Sequence, residues 1–215
     1  MRMDREYAAC RFVVVGLELA RQAGQFDVTA VAALAVQGED WAPQWRMHAR
    51  VGPAPEGPPG ATEESHSVVW AESAAEALAA VDRKLTSDPH VVVARLGTVE
   101  AAVFRAQRAS CPRLASQVVW DALRLAQIAC PSVTEPAEST LAAALGVGLP
   151  SRGAPLTQAV WATSEICRRA VAQGVAAGRW GTLRQIDDLV GKRPPPVEPE
   201  YLPTGPVQES LFESQ

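Results

Sequence analysis

Long hydrophobic runs are missing from this 215-residue sequence, since no apolar stretch approaches the roughly 18 residues that a membrane-spanning helix needs. The first six residues include acidic side chains and lack the apolar segment of a secretion signal. Four cysteines are present, yet none forms a Cys-x-x-Cys pair, which argues against a zinc site and predicts reduced thiols. These absences predict a cytoplasmic protein without a membrane segment.

A strong positive charge, which favours nucleic acid as a partner, is also missing. The sequence holds 20 basic and 24 acidic residues, for a net charge of −4. This balance removes one argument for nucleic acid as a direct partner but does not exclude it. The residues that are present, 47% hydrophobic and 20% charged, are typical of a globular domain.

Apolar periodicity predicts alternating strands and helices. Three strands come first, joined by segments too short for helices, which indicates an antiparallel meander. Predicted strands cover residues 10–15, 28–36, 44–51, 91–94 and 116–120, and predicted helices cover 73–85, 98–108, 122–129, 139–145, 156–174 and 183–190. In the helix 98–108 we expect Val99, Val103 and Ala106 to face inward. This order predicts an α/β fold with a mixed five-stranded sheet and flanking helices.

The character of the sequence changes after Gly191. Residues 192–200 are rich in proline and can form neither a helix nor a strand ladder. Residues 201–215 lack a periodic apolar face. The sequence therefore predicts one domain over residues 1–191, followed by a disordered, proline-rich tail over residues 192–215.

The first predicted strand runs through Val15 and Gly16 into a single carboxylate, Glu18. This stretch resembles the first motif of the DnaQ-like (DEDDh-type) 3′–5′ exonucleases, in which the strand ends Asp-x-Glu and both acids hold catalytic metal ions. Gly16 stands where that family has its first acid, and Glu18 stands at the second. The resemblance implies a ribonuclease H-like (exonuclease) fold.

Residues 91–100 resemble the second motif of the family, a strand followed by His-Asn-x-x-Phe-Asp. Arg95 and Leu96 stand at the His-Asn pair, and Glu100 stands at the acid. Residues 120–126 and 139–147 resemble structural elements that follow in the family. Taken alone, Arg95 is interpreted as a surface arginine and Glu100 as a solvated helix residue.

The third motif of the family, His-x-Ala-x-x-Asp-Ala, falls on residues 151–159. Gln158 stands at its final acid. Gly153 stands at the general-base His, or Arg152 does if the alignment slips by one residue. Trp161, shortly after, is interpreted like Trp120 as a core residue rather than a base-stacking platform.

The family's chemistry uses two divalent ions about 4 Å apart, held by carboxylates. The resemblance leaves only Glu18 and Glu100 as candidate metal ligands. We therefore expect nuclease activity to be absent or very weak and no cofactor to be bound. The alternative is a divergent enzyme that uses magnesium or manganese in a rearranged site.

A second resemblance lies in the predicted tail, at Gln208-Glu209-Ser210-Leu211-Phe212. It resembles the bacterial sliding-clamp-binding pentapeptide, Gln-x-(Ser/Asp)-Leu-Phe. The resemblance implies that Leu211 and Phe212 fill an apolar pocket on the clamp, while Gln208 makes hydrogen bonds at a second subsite. A disordered tether is the usual way to present such a short linear motif.

The leading hypothesis is a non-catalytic, exonuclease-like adaptor, a pseudoenzyme that binds the DNA sliding clamp during DNA replication or DNA repair. A DNA polymerase subunit is a further candidate partner. Two alternatives stay open. One is a divergent, metal-dependent 3′–5′ DNA exonuclease of the proofreading type, and the other is a protein-interaction module unrelated to DNA.

Overall fold

The structure, a computed structural model, describes residues 3–22, 25–38, 40–53, 68–86 and 90–192. The predicted clamp-binding residues Gln208, Ser210, Leu211 and Phe212 lie outside these ranges. The strands are β1 Arg11–Gln22, β2 Gln25–Gln37, β3 Pro43–Val51, β4 Val68–Ala71, β5 His90–Ala94, β6 Val119–Asp121 and β7 Gly191–Lys192. The helices are α1 Arg5–Ala9, α2 Ala74–Asp82, α3 Thr98–Ala106, α4 Pro112–Ser116, α5 Ala122–Ala129, α6 Glu138–Ala144, α7 Leu156–Ala176 and α8 Leu183–Val190.

The strands of the described ranges form one mixed sheet in the order β4-β3-β2-β1-β5-β6-β7. Strands β1, β2 and β3 form the predicted antiparallel meander, and β5 and β6 run parallel to β1. The α/β class and the mixed sheet are confirmed. The predicted number of five strands was too low, because β4 and β7 add one strand at each edge. These edge strands have four and two residues, too few for a periodic pattern.

Two apolar cores lie on opposite faces of the sheet. Successive side chains of a strand point to opposite faces, so Phe12 and Val14 of β1 join one core and Val13 and Val15 join the other. The first core is covered by α5, α6, α7 and α8, and the second by α2, α3 and α4. By the same alternation, Gly16 lies on the face that α7 covers.

An aromatic cluster fixes β1 to the first core. The Phe12 ring stacks on Trp41 with 5.2 Å between ring centroids and contacts Trp120 at the same separation. The Trp41 indole N–H donates to the Tyr7 hydroxyl at 2.7 Å. Trp120 is fully buried, as predicted. None of the helices in the described ranges is long and apolar enough to cross a membrane.

Candidate functional site

Gly16 of β1 lies directly beneath α7. A Cβ atom built on Gly16 would lie 2.7 Å from Cγ2 of Val160 and 3.3 Å from Cδ1 of Leu156. Both α7 side chains are buried, Leu156 with 8% and Val160 with 3% of its surface exposed. The position at which the resemblance expects the first metal-binding acid is therefore occupied by aliphatic side chains of α7, and a carboxylate there would displace the helix.

Glu18 follows two residues later in β1, so it lies on the same face of the sheet and is half-buried. It pairs with Ala30 of β2, and the register of the two strands shifts directly after it. The Glu18 carbonyl accepts a hydrogen bond from the Thr29 hydroxyl at 3.3 Å. This bond fixes the backbone of Glu18.

Glu100 lies in the first turn of α3 and is buried, with 7% of its surface exposed. Its Oε2 atom has no hydrogen-bond partner among the described residues. The interpretation as a solvated helix residue is therefore wrong. The predicted inward face of α3 is right only for Val103, which packs against the second core. Val99 is 38% exposed and Ala106 is exposed, while Glu100, Ala101 and Phe104 are buried.

Two features explain this rotation of α3. Phe104 offers more apolar area to the core than the valines of the predicted face, and burial in proportion to area favours it. Gly97, the N-cap residue with φ of 66°, packs against Asp121, and a Cβ there would lie 3.0 Å from Asp121 Cβ. The close approach and the left-handed backbone both require glycine and set the direction in which α3 begins.

The charge state of Glu100 follows from this environment. Burial raises the pKa of its carboxyl, and the nearby Asp121 raises it further, while its own backbone N–H and Arg95 act in the opposite direction. Burial likewise raises the pKa of Asp121. The Arg95 guanidinium forms its ion pair with Glu138, at 3.2 Å, rather than with Glu100. The Arg95 side chain is 54% exposed. The interpretation of Arg95 as a surface arginine agrees with this ion pair.

Glu100→Gln is expected to stabilise the protein at neutral pH by about 1 kcal/mol, because it removes a buried, incompletely solvated charge at nearly constant shape. A raised pKa means that the folded state binds the proton more tightly. The destabilisation caused by the ionised Glu100 carboxylate therefore begins as the pH rises through 4.5, the ordinary pKa of a glutamate, and is complete above the pKa of Glu100 in the folded state. Urea unfolding should show the gain at pH 7 and its disappearance in acid.

The control for this prediction is Glu135→Gln, since Glu135 is exposed and its substitution should change stability by no more than about 0.5 kcal/mol. A Glu100→Gln variant that is less stable than the parent at pH 7 would show that the Glu100 carboxylate is satisfied in the folded protein.

The remaining predicted positions lie before and at the start of α7. Gly153 has a φ of 85°, and a Cβ there would have no atom within 4 Å, so this position is open. Gln158 is exposed and lies roughly 200° around the helix from Leu156, which faces β1. The structure thus brings Gly16 together with Leu156 and Val160, not with Gln158. The correspondence of Gln158 with the family's last acid stays a prediction.

The residues present do not fit the pair of metal ions that the resemblance implies. Within the described ranges, no three His, Cys, Asp or Glu residues lie close enough together to hold an ion. Glu165, the next acid of α7, cannot replace Gln158, because it binds Arg168 at 2.7 Å and Arg169 at 3.5 Å. These hydrogen bonds, Arg168 first, lower the pKa of Glu165.

An open groove lies beside Gly16. Strands β2 and β3 form one side of it, and the N-terminal part of α7 forms the other. Its volume is about 700 Å³. We call it the α7 groove and define it by six lining residues, Ala32, Leu34, Arg46, His48, Leu149 and Trp161. Gln158 also lines it. In the sheet, Ala32 lies between Gly16 and His48, and Leu34 lies opposite Arg46.

Trp161 was wrongly predicted as a core residue, since half of its surface, 50%, is exposed in the α7 groove. The spacing of Leu156, Val160, Cys167 and Val171 marks the buried stripe of α7, and Trp161 lies at the edge of this stripe. That spacing was a signal by which sequence reasoning could have placed Trp161 at the surface.

No known protein family and no curated protein matches the sequence. Solved structures do match. The nuclease domain of 3′hExo, a DEDDh family member bound to rAMP, superposes with a TM-score of 0.57 at 10% identity, over 80% of this chain and 95% of that one. A full-length 3′-exonuclease gives a TM-score of 0.53 at 10% identity, over 78% of this chain and 84% of that one.

A third structure, cell-death related nuclease 4 (CRN-4), gives a TM-score of 0.51 at 9% identity, over 78% of this chain and 67% of that one. At such identities the likeness concerns the fold. The chain therefore has the ribonuclease H-like fold of 3′-exonuclease nuclease domains, with the mixed sheet and flanking helices that the sequence predicted.

Proposed function

We propose that this protein is a non-catalytic, exonuclease-like adaptor that binds the DNA sliding clamp in DNA replication or repair. The observation that carries the first half of this proposal is the contact of Gly16 with Leu156 and Val160. Aliphatic carbon thus lies at the position where the resemblance to the first motif expects a metal-binding carboxylate.

The chemistry explains why this one contact matters. In phosphodiester hydrolysis one ion activates the attacking water and the other stabilises the leaving oxygen, and both need hard oxygen ligands. Gly16 supplies no ligand, and burial raises the pKa of Glu100, so its carboxylate is desolvated and a poor metal ligand. Each catalytic element is worth roughly 10²–10⁴ in rate, so losing two of them removes most of the acceleration.

The proposed binding to the sliding clamp depends on the sequence of residues 208–212. The described chain leaves the sheet at Lys192, on the edge strand β7, so residues 193–215 start from the border of the domain rather than from its interior. Fifteen residues lie between Lys192 and Gln208, enough for an extended span of roughly 50 Å. A linear motif at that distance can reach a partner surface without a clash between the domain and the clamp.

Binding of the chain to a purified bacterial sliding clamp, immobilised on a biosensor, tests the proposed clamp interaction directly. The chain is expected to bind reversibly with micromolar affinity, as short linear motifs usually do. A chain that passes over the clamp without binding, at concentrations at which a known clamp peptide binds, would contradict the adaptor role.

A divergent 3′–5′ exonuclease is the second candidate function, and one observation favours it. Glu18 remains half-exposed on the face that α7 covers, beside the α7 groove, so a single ion held partly by substrate phosphate could use it. Magnesium or manganese would be the cofactor in that case. We propose a DNA polymerase subunit as a further partner, both for a non-catalytic adaptor and for a divergent exonuclease.

A further inference from the structure

We propose that the α7 groove binds the chain's own residues 208–213, so that the clamp-binding segment has two alternative docking places. The docking itself is independent of the clamp, while the competition between the two places rests on the proposed function. The inference depends on the groove's composition, on its position in the sheet and on the charge of the segment.

The α7 groove is an apolar cleft with a positive side. Ala32 and Leu34 form its floor, and Leu149 and Trp161, which are 37% and 50% exposed, form apolar walls. Arg46 lines it from β3, opposite Leu34, and no carboxylate of the described chain lines it. Among the described residues Arg46 has no acidic partner. Such a cleft fits a short apolar segment that carries negative charge beside its apolar side chains.

Residues 208–213 have this composition. Leu211 and Phe212 are adjacent apolar residues, and Glu209 and Glu213 flank them. Arg50 extends the positive side, because it lies two residues beyond His48 on the same face of β3 and opposite Ala30. Two acids on the segment thus meet two arginines along one strand, with the apolar pair between them.

The geometry of the sheet allows the chain to reach the groove. Four strand spacings separate β7 from β2, which is about 20 Å at ~4.8 Å per spacing. Lys192 pairs with Val119, which pairs with Val92, which pairs with Val13, so the chain leaves the sheet near the level of the groove floor. From there the chain has to pass around the helices that cover this face of the sheet. Residues 208–213 have roughly 50 Å of extended chain for that path.

One segment cannot occupy both places, because Leu211 and Phe212 would have to fill two pockets at once. Occupation of the α7 groove therefore lowers the fraction of molecules able to bind a clamp. The apparent dissociation constant rises in inverse proportion to that fraction, so a segment docked in 80–90% of molecules weakens clamp binding about five- to tenfold.

The first test uses the full chain with p-benzoyl-L-phenylalanine in place of Phe212. Ultraviolet irradiation followed by peptide mass spectrometry should place the cross-link on residues of the α7 groove, within one molecule and independent of protein concentration. Arg46→Glu should reduce that cross-link about fivefold, and Leu189→Ala, an exposed apolar residue on α8, should leave it unchanged. Cross-links between two molecules, or scattered over the surface, overturn the docking.

The second test measures clamp affinity of full-length Trp161→Ala, Arg46→Glu and Leu189→Ala variants. The two groove variants are expected to bind the clamp five- to tenfold more tightly than the parent, and Leu189→Ala equally. Equal affinity in all four proteins overturns the competition. If none of the four proteins binds the clamp, the proposed function is wrong, and the cross-linking experiment alone tests the docking in the α7 groove. If the clamp binds but no cross-link forms in the groove, the docking is wrong and the proposed function stands.

Discussion

Replacing Leu211 and Phe212 together with alanine is expected to weaken binding to a sliding clamp by about 100-fold or more. Burying a leucine or phenylalanine side chain contributes about 1.5–3 kcal/mol, so the pair accounts for roughly 3–6 kcal/mol. Each 1.4 kcal/mol is about tenfold in affinity. The loss should appear mainly as faster dissociation, which biosensor traces resolve.

The matched control replaces Pro206 and Val207 with alanine, two neighbouring residues of similar apolar character outside the pentapeptide. This variant should bind the clamp within about twofold of the parent. If the Leu211→Ala, Phe212→Ala protein still binds, the contact with the clamp lies elsewhere on the chain, and the interpretation of residues 208–212 is wrong.

Gly16→Asp, the change that restores the family's first acid, is expected to destabilise the protein by about 3–5 kcal/mol and to restore no nuclease activity. Overpacking against Leu156 and Val160 costs about 1–3 kcal/mol, and a partly desolvated carboxylate without a partner adds about 2 kcal/mol. Gly16→Ala, which adds only a methyl group, should cost the overpacking alone. Urea unfolding monitored by tryptophan fluorescence measures both differences.

The double variant Gly16→Ala, Val160→Ala separates steric conflict from other effects of losing a glycine. Val160→Ala alone leaves a cavity and should destabilise, but in the Gly16→Ala background it removes the atom that lies 2.7 Å from the new Cβ. The two changes should therefore be less costly together than the sum of the single changes, by about 1 kcal/mol or more. Strictly additive costs would mean that α7 shifts away freely and that the position is not closed.

The part of the fold that the sequence predicts is the part with strong periodicity. The helices Ala122–Ala129 and Leu183–Val190 have the predicted bounds, and the meander follows from three apolar runs with short connections. Helices α1 and α4 and the edge strands were missed because they are too short for a period to appear. The face of α3 was predicted correctly only at Val103, because Phe104 and the close packing of Gly97 on Asp121 turn Val99 and Ala106 outward.

The candidate site, like the fold, could be predicted from the sequence only in part. The order of motifs in the sequence singles out Gly16, Glu18 and Glu100. Nothing local in the sequence shows that Leu156 and Val160 close the position of Gly16, because that contact joins β1 to a helix about 140 residues later. The α7 groove likewise depends on strand register, which places Arg46 opposite Leu34 and His48 opposite Ala32.

We infer that this exonuclease-like fold lacks a working metal site. The most direct measurement incubates the purified chain with 3′-labelled single-stranded DNA in the presence of magnesium or manganese, beside the Glu18→Ala variant prepared in the same way. We expect no metal-dependent release of nucleotides by the parent above the level of the variant. Metal-dependent release by the parent that disappears in Glu18→Ala would contradict it and establish the divergent exonuclease.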